Sequence, residues 1–343
     1  MQYAQLGNTG LLVSRLGFGA LTFTQGNRSL KSVYKVGASL ANELVARAID
    51  AGVNFFDTAD VYADGESETL LGAALKPHRD KVVITTKVGG RGGDRDLIRT
   101  GLSKRHILWS VDQSLRRLGT DWIDCYVAHR EDLHTPLEET LEAFDAIVRA
   151  GKVRYIGYSN WSAWKVAAAM EIQKARGLAS FTHGQMYYSL LGRDVERDML
   201  PMMRRYGLGL TVWSPLAYGF LSGAYTRDDL VKPGNRFSDF DMLQFDRDKG
   251  FALLEVLRGM AAARGISVPQ LAIAWLLARP GVTSVLLGAT RREQLDDNLG
   301  AAGIRLGADE LAALDAASAI RPIYPSADWI APDHRVAKAL ARE

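Results

Sequence analysis

The sequence predicts an α/β fold, a single (β/α)8 TIM barrel with an N-terminal β-hairpin cap and long loops at one end. Short apolar segments alternate with amphipathic ones along the 343 residues, which is typical of a parallel sheet covered by helices. Eight strands can be counted, the number that closes a small barrel. No G-x-G-x-x-G follows a strand and opens a helix, which counts against an open, doubly wound sheet, the competing architecture.

The predicted barrel strands are short runs rich in apolar and β-branched residues. In chain order they are RLGFGAL, VNFFDTA, KVVITTKV, WIDCYVAH, VRYIGYS, THGQMYYS, LGLTVWS and VTSVLLGA. Ahead of them, YAQLGNTGLLVS predicts two short strands about a tight turn at Gly7–Gly10. We expect this hairpin to cap the N-terminal end of the barrel.

Helices are predicted between the strands, where apolar residues recur three and four positions apart. The helix that begins near Ile107 is predicted to end at Gly119, because glycine readily adopts the left-handed conformation found at helix ends. Thr135–Glu138 and Ser267–Gln270 both fit the capping box, in which two side chains bond the first backbone N–H groups.

One domain is predicted for residues 1–343, since no shift in composition marks a boundary and βα barrels of this length are common. The longest irregular stretch, residues 217–241, is rich in Gly, Ser, Arg and aromatic residues. A loop of that length inside a domain is usually functional or disordered, and we interpret it as a mobile flap over a ligand. Residues 319–343 are treated as a C-terminal tail.

Charge and cysteine content exclude several classes of protein. The formal net charge of +3 and the pI near 8.9 are too weak a bias to predict a nucleic-acid partner. We find no signal peptide and no run of about 18 apolar residues that would predict a membrane span. The single cysteine, Cys125, lies in an apolar run, which favours a buried, inert thiol. No metal site is predicted, and a reducing, cytoplasmic setting is the default expectation.

Four side chains that could carry chemistry lie at the C-terminal ends of three consecutive predicted strands: Asp57 on the second, with Tyr62 in the loop after it, Lys87 on the third and His129 on the fourth. In a parallel barrel the carboxyl ends of the strands meet at one mouth. Each residue alone has a simpler interpretation, as a turn cap, a rim aromatic, a solvated lysine or a loop histidine. Their joint placement favours a shared site.

This set suits the reduction of a carbonyl, because hydride delivery leaves negative charge on an oxygen that must then take up a proton. A tyrosine hydroxyl, with an ordinary pKa of about 10, is a poor acid at neutral pH. We expect the Lys87 ammonium to lower the pKa of Tyr62, and Asp57 to hold Lys87 charged and aimed. His129 would orient the carbonyl through a hydrogen bond.

Several motifs together resemble the aldo-keto reductase superfamily over nearly the whole chain. They are LGNTGLLVSRLGFG, FFDTADVY with GESE, TTKV, the strand that ends at His129, GKVRYIGYSN, SPLAYGFLSG, GATRREQLDDN and, near the end, YPSADW. The last is similar to tails of the longer members, those like potassium-channel β subunits and bacterial sugar or aldehyde reductases.

The resemblance implies an NADPH-dependent oxidoreductase whose proton donor is Tyr62, acting on a small carbonyl or alcohol substrate. It implies that Ser159, Asn160 and Gln185 hold the nicotinamide carboxamide and that Tyr187 or Trp213 supports the ring. The diphosphate path would be lined by Trp213, Ser214, Pro215, Leu216, Gly219 and Leu221. The adenosine end would meet Gly288, Thr290, Arg291, Arg292, Gln294 and Asn298. Phe23 and Trp161 would line the substrate pocket.

Two departures from the family pattern bear on the cofactor. Related loops often read SGKY, whereas this chain reads SGAY, so Ala224 supplies no charge and Arg236 would compensate. Many shorter reductases place an arginine where Gln294 stands, so Arg291 or Arg292 would have to grip the 2′-phosphate. NADPH is therefore favoured, with NADH as the alternative.

Rival functions remain open at this point. One is a regulatory protein that keeps the fold and the cofactor as a sensor, and another is a barrel lyase in which Lys87 forms a Schiff base. The intact set of four residues favours the reductase. The substrate, the physiological direction and the oligomeric state cannot be read from the sequence.

Overall fold

The computed structural model describes residues 1–27, 29–90, 97–239, 241–243, 245–324 and 334–340. A hairpin of β1 (Tyr3–Gln5) and β2 (Leu12–Ser14) precedes eight strands. These are β3 (Leu16–Gly19), β4 (Phe55–Asp57), β5 (Val83–Val88), β6 (Ile123–Ala128), β7 (Val153–Ser159), β8 (Phe181–Tyr187), β9 (Gly209–Trp213) and β10 (Val282–Leu287). All eight pair in parallel and close a barrel, with β10 beside both β3 and β9. The predicted TIM barrel is confirmed, and the open sheet is excluded.

Helices cover the outside of the barrel, as the alternating pattern predicts. They are α1 (Ala38–Asp50), α2 (Glu66–Leu75), α3 (Lys104–Leu118), α4 (Leu137–Arg149), α5 (Ala163–Arg176), α6 (Met199–Tyr206), α7 (Arg236–Asp239), α8 (Arg247–Arg264), α9 (Val268–Ala278), α10 (Arg292–Gly300), α11 (Ala308–Ala317) and α12 (His334–Leu340). Within the described part of the chain no single helix is long and apolar enough to cross a membrane, although the bent pair α8 and α9 passes that test by length and composition alone.

Helix ends follow the predicted chemistry at two of three sites. Gly119 ends α3 with a φ of 64°, and Ser267 caps α9 in a full capping box with Gln270. The capping box predicted at Thr135 is wrong, because Pro136 precedes α4 without any side-chain cap. The Thr135 hydroxyl instead donates to Asp132 Oδ2 at 2.7 Å, which is a bond within the loop.

The barrel interior is closed at its N-terminal end by the hairpin, as expected. Leu6 and Val13 of the hairpin pack with Phe55, Val83 and Cys125, all buried, in an apolar cluster inside the barrel. Burial raises the pKa of the Cys125 thiol far above its ordinary value, so the predicted inert thiol is confirmed. The chemistry is therefore left to the opposite end of the barrel.

The stretch at 217–241 is less irregular than its composition predicts. It contains two 3-10 turns, Ala217–Ser222 and Asp228–Val231, and the short helix α7. Its role as a mobile flap stays a prediction. Of the C-terminal tail, α12 is described, whereas the YPSADW motif lies outside the described residues beyond Tyr324.

Candidate active site

The structure brings the predicted residues Asp57, Tyr62, Lys87 and His129 together at the C-terminal mouth. Asp57 ends β4, and Lys87 is the penultimate residue of β5. Tyr62 opens the 3-10 turn Tyr62–Gly65, and His129 directly follows β6. Alternation of side chains along a strand places Asp57 and Lys87 on the inner face of the barrel, which is why two charged groups can meet inside an apolar fold.

Lys87 is the centre of the cluster and is completely buried. Its ammonium donates to Asp57 Oδ1 at 2.6 Å and to the Thr58 carbonyl at 2.6 Å. The third direction points to the Tyr62 hydroxyl oxygen at 3.4 Å. An ammonium has three protons to donate, so this geometry uses all of them and leaves the tyrosine O–H proton for another acceptor.

The charge state of Lys87 follows from these partners. Burial alone favours the neutral amine, but the Asp57 carboxylate and the Tyr62 hydroxyl outweigh it, so the pKa of Lys87 is raised. Burial raises the pKa of Asp57, and Lys87 and Gln185 oppose that rise. The two donors, at 2.6 and 2.7 Å, occupy both oxygens of the Asp57 carboxylate.

The structure shows only part of the effect that Lys87 was predicted to have on the pKa of Tyr62. The ammonium does act to lower the pKa of Tyr62, but burial acts more strongly, so the pKa of Tyr62 is raised above its ordinary value. The prediction of a net lowering is therefore wrong, because the sequence showed the charge and not the burial. The hydroxyl consequently stays protonated at neutral pH, and Lys87 eases the later loss of its proton.

A strained turn fixes the position of Tyr62. Ala63 and Asp64, which follow it, have φ values of 48° and 55°, a conformation that costs of order 1 kcal/mol or more for a residue with a side chain. Gly65 has a φ of 94°, and a Cβ there would come within 2.6 Å of the Arg117 side chain. The turn can therefore accept no side chain at Gly65 without displacing Arg117.

His129 faces Tyr62 across the mouth. The two rings meet edge to face with centroids 5.7 Å apart. The His129 backbone N–H donates to the Val88 carbonyl at 2.8 Å, which extends the pairing of β5 and β6 by one residue. Strand pairing thus holds the His129 imidazole beside the Tyr62 ring.

Gln185 contacts the Asp57–Lys87 pair directly. Its side-chain N–H group donates to Asp57 Oδ2 at 2.7 Å, and the residue is buried. The resemblance assigned Gln185 to the nicotinamide carboxamide. The structure adds a second contact, so Gln185 connects Asp57 to the end of β8.

Ser159 and Asn160, the other residues predicted to hold the nicotinamide carboxamide, belong to one hydrogen-bond network. Asn160 donates to the Ser159 hydroxyl at 2.9 Å and to the His129 carbonyl at 3.2 Å, while its amide oxygen accepts from the Trp213 indole at 3.1 Å. Asn160 has a φ of 57°, a conformation that asparagine tolerates better than most residues. The Tyr187 and Trp213 rings pack in a tilted arrangement with centroids 5.2 Å apart, forming an aromatic wall beside the amides.

The predicted diphosphate path is a tightly folded loop after β9. Ser214, Ala217, Tyr218 and Gly219 all have positive φ values, and the Ser214 hydroxyl accepts from the Tyr218 backbone N–H at 2.9 Å. Within the same segment Pro215 and Leu221 are buried, whereas Leu216 is half-buried. The Ser214 side chain therefore closes this turn against the backbone of Tyr218.

Three observations show that this region fits an anionic dinucleotide. The Nε atom of Arg236 is buried and has no hydrogen-bond partner among the residues that the structure describes, and its guanidinium lies 4.4 Å from the centre of the Tyr218 ring. A Cβ on Gly288 would meet nothing within 4 Å, so the backbone there faces open space. Helix α10 begins after Arg291 without a side-chain cap, and uncapped N–H groups at a helix start favour phosphate.

The residues predicted for the adenosine end lie in the loop after β10 and along α10. The Gln294 side-chain oxygen accepts from the backbone N–H and the hydroxyl of Thr290 at 3.1 and 3.0 Å. Asn298 is buried. Arg291 and Arg292 are both exposed, as a grip on a 2′-phosphate would require.

The two residues predicted to line the substrate pocket, Phe23 and Trp161, are not open to the mouth. Phe23 is fully buried, and its ring packs against Phe18 with centroids 5.7 Å apart. Trp161 packs edge to face on Phe181, with centroids 5.7 Å apart, in the layer between barrel and helices. A role in binding substrate stays a prediction for both, and the structure shows them as packing residues.

A family model, described as the aldo/keto reductase family, matches residues 15–319. The chain belongs to the aldo/keto reductase family. Membership supports reduction of carbonyl compounds in general and makes a nicotinamide cofactor plausible.

Curated relatives of this aldo/keto reductase carry two kinds of name. It is 37% identical to a probable voltage-gated potassium channel subunit beta of Oryza sativa subsp. japonica, over 87% of this chain and 90% of the relative. It is 38% identical to a putative subunit of the same description from Schizosaccharomyces pombe, over 86% of each. It is 32% identical to versiconal hemiacetal acetate reductase of Aspergillus parasiticus, over 95% of this chain and 99% of the relative.

Sequence reasoning missed two residues that shape the site of this aldo/keto reductase. Glu66 accepts from the Thr24 hydroxyl and from the backbone N–H groups of Gln25 and Asn27, at 2.6 to 3.2 Å, which ties the loop after β3 to the turn that carries Tyr62. His183 is fully buried inside the barrel. Burial and the nearby Lys87 charge lower the pKa of His183 to about 4. Only the GESE motif gave a signal, and it pointed to the family rather than to this contact.

Proposed function

We propose that this chain is an NAD(P)H-dependent oxidoreductase that reduces aldehydes or ketones to alcohols, or runs the reverse reaction, with Tyr62 as the proton donor. The observation that carries the proposal is the buried Lys87 ammonium, which bonds Asp57 and points its third proton at the Tyr62 oxygen. Carbonyl reduction requires an acid beside the oxygen that becomes an alkoxide. This arrangement places the Tyr62 hydroxyl to serve as that acid.

Each residue has a separate task in the proposed mechanism. When bound, the nicotinamide cofactor supplies the hydride. Tyr62 donates its proton to the carbonyl oxygen, and Lys87 stabilises the phenolate that remains, because a positive charge nearby favours the charged form. Asp57, held by Gln185, keeps Lys87 protonated and fixed. His129 orients the carbonyl by a hydrogen bond.

The cofactor proposal is NADPH, with NADH as the alternative. Arg292 lies 3.5 Å from Glu43 and 3.6 Å from Asp296, both exposed pairs, and exposed pairs hold a guanidinium only weakly. Arg291 has no carboxylate within 4.0 Å among the described residues. Both are therefore open to a 2′-phosphate. We also propose a reducing, cytoplasmic setting, which a single buried cysteine supports.

Two alternatives are weighed against the reductase. The channel-subunit names of two relatives favour a regulatory protein that binds cofactor, and its signature would be cofactor binding without turnover. The Schiff-base lyase needs a neutral, accessible amine, whereas Lys87 is fully buried and its pKa is raised. The intact cluster at the mouth favours the reductase over both.

Tyr62→Phe tests the proposal. We expect turnover of an aldehyde panel to fall by at least about a hundredfold, the scale of losing a general acid, while cofactor affinity measured by fluorescence titration stays within a few-fold. Tyr3→Phe, which removes an exposed hydroxyl at the other end of the barrel, is the matched control. Equal loss of turnover and cofactor binding in Tyr62→Phe would contradict the assigned role.

Arg291→Ala and Arg292→Ala test the cofactor preference. We expect at least one of them to weaken NADPH about tenfold or more while NADH changes little, since a hydrogen bond to a charged group contributes about 1.5–3 kcal/mol. The measurement is a pair of titrations on each variant, with Arg204→Ala at the far end of the barrel as control. If neither variant separates the two cofactors, the arginines do not bind the 2′-phosphate.

A further inference from the structure

Arg130, which directly follows His129, is an exposed cation on the rim of the mouth. Its Nη2 atom lies 4.0 Å from the sulfur of Met242. Met242 belongs to the long segment after β9, whereas Arg130 follows β6, and three steps around the barrel separate these strands. The contact between them therefore joins the loop after β6 to the segment after β9.

The charge of Arg130 is not balanced by a neighbouring acid. Among the described residues no carboxylate lies within 4.0 Å of its guanidinium. The two acids that follow it in sequence are engaged: Glu131 accepts from Ser162 at 2.9 Å, and Asp132 accepts from the Leu102 backbone N–H at 2.8 Å. Asp241, beside Met242, is paired with Arg247 at 2.5 Å.

The field of Arg130 reaches the site. Burial raises the pKa of Tyr218 to about 12, and the charges of Arg236 and Arg130 act against that rise. Tyr218 in turn interacts electrostatically with Tyr62. The Asp241 carboxylate acts on Tyr218 in the opposite sense, and the Lys87 charge is paired with Asp57.

The two arginines are carried by different strand ends. The candidate cofactor residues, Arg236 among them, lie at and after β7, β8, β9 and β10. Arg130 lies at the end of β6 beside His129, the residue assigned to the carbonyl. A diphosphate would therefore engage Arg236 and leave Arg130 on the substrate side.

We propose that Arg130 binds an anionic group of the substrate, and that this chain prefers carbonyl compounds carrying a carboxylate a few carbon atoms or one ring away from the carbonyl. The planar guanidinium suits a carboxylate because it can donate two parallel hydrogen bonds. This inference rests on the proposed carbonyl reduction and adds a substrate class to it.

The test compares 4-formylbenzoate with its neutral counterpart, methyl 4-formylbenzoate, under the cofactor that the chain binds. The quantity measured is the ratio of kcat/KM for the acid to that for the ester. We expect Arg130→Gln to lower this ratio about tenfold or more, mainly through the KM of the acid. Arg130→Lys should keep part of the ratio, since it retains charge without the planar fork, and the far-end control Arg204→Gln should keep all of it. An unchanged ratio in Arg130→Gln would overturn the proposal.

A binding measurement separates this inference from the proposed function. Quenching of tryptophan fluorescence by 4-(hydroxymethyl)benzoate and by its methyl ester needs no turnover, and it is done with cofactor present at saturation so that phosphate-binding arginines are occupied. We expect Arg130→Gln to lose affinity for the acid about tenfold, and added salt to weaken the acid more than the ester in the wild type. If neither aldehyde is reduced, the proposed function fails while the binding ratio still decides the role of Arg130. Equal affinity of the wild type for acid and ester would reject that role.

Discussion

At the scale of single residues, the site depends on burial as much as on charge. Lys87 would be an ordinary surface cation if it stood alone at a strand end, and its three acceptors make it a fixed, protonated group. Tyr62 shows the limit of reasoning from charge, because burial reverses the net direction of its pKa. Residue types and their order could be read from the sequence. The degree of desolvation could not, since it depends on every element around the mouth.

His183 gives a prediction about pH. The Thr182 hydroxyl donates to the Ile156 carbonyl and lies 3.0 Å from His183 Nδ1, so Nδ1 carries the proton and donates. Because the folded-state pKa is about 4 and the ordinary value is 6.5, the unfolded chain takes up a proton first as the pH falls. We expect the free energy of unfolding to drop by about 3 kcal/mol between pH 6.5 and 4 from this residue.

Urea unfolding of the wild type and of His183→Gln across that range measures the effect. Glutamine keeps a polar side chain and does not titrate. The wild type should show the larger loss of stability, and parallel curves for the two proteins would show that His183 is not buried as a neutral group.

At the scale of elements, the turn after β4 is held by hydrogen bonds to the loop after β3. Glu66 begins α2 and accepts three hydrogen bonds from Thr24, Gln25 and Asn27, so it couples the loop after β3 to the strained turn of Tyr62. The GESE motif was seen in the sequence, but a contact across about forty positions is set by the barrel, which brings β3 and β4 side by side.

Glu66→Gln is expected to loosen this loop, because a neutral amide is a weaker acceptor for three donors than a carboxylate. Amide hydrogen exchange at Gln25 and Asn27 should quicken, and kcat/KM should fall several-fold as Tyr62 loses its support. Desolvation acts to raise the pKa of Glu66, but the hydrogen bonds from Thr24, Gln25 and Asn27 outweigh it, so the pKa is lowered. Its stabilisation is thus fully present above the ordinary value of 4.5 and is lost as the pH falls through the lowered value.

The difference in Tm between the wild type and Glu66→Gln should therefore shrink as the pH falls below 4.5. A difference that stays constant with pH would mean that the carboxylate charge is not what holds the loop. Glu43→Gln, on α1, is a control at an exposed carboxylate.

At the scale of the whole molecule, the closed barrel separates stability from chemistry. The hairpin side chains Leu6 and Val13 fill the N-terminal end, and the reacting groups lie at the other end. The eight strands were predictable because buried parallel strands leave short apolar runs between helices. Loop interiors were not, as the wrong cap at Thr135 shows, because a hydroxyl chooses among several nearby partners that only the folded loop defines.

Leu6→Ala should test that separation. Removing a buried leucine side chain costs about 2–5 kcal/mol of stability, so we expect a clear fall in Tm or in the urea midpoint. The kcat of the folded protein should change less than twofold. Leu12→Ala, at a side chain that is 55% exposed, should change stability by no more than about 0.5 kcal/mol. A large drop in kcat for Leu6→Ala would show that the two ends are coupled.

The candidate reacting side chains, Asp57 to His129, lie at the ends of β4, β5 and β6 or in the loops that follow them, and the candidate dinucleotide residues, Ser159 to Asn298, lie at or after the last four strands. Mutant libraries within codons 159–298 that leave Asn160 and Gln185 unchanged would therefore vary the candidate coenzyme residues without touching the bonds to His129 and Asp57. Libraries confined to codons 57–130 could alter which molecules are accepted under an unchanged coenzyme. The order of the strands thus lets protein engineers vary the two sets of residues separately within one gene, apart from the bonds by which Gln185 and Asn160 join them.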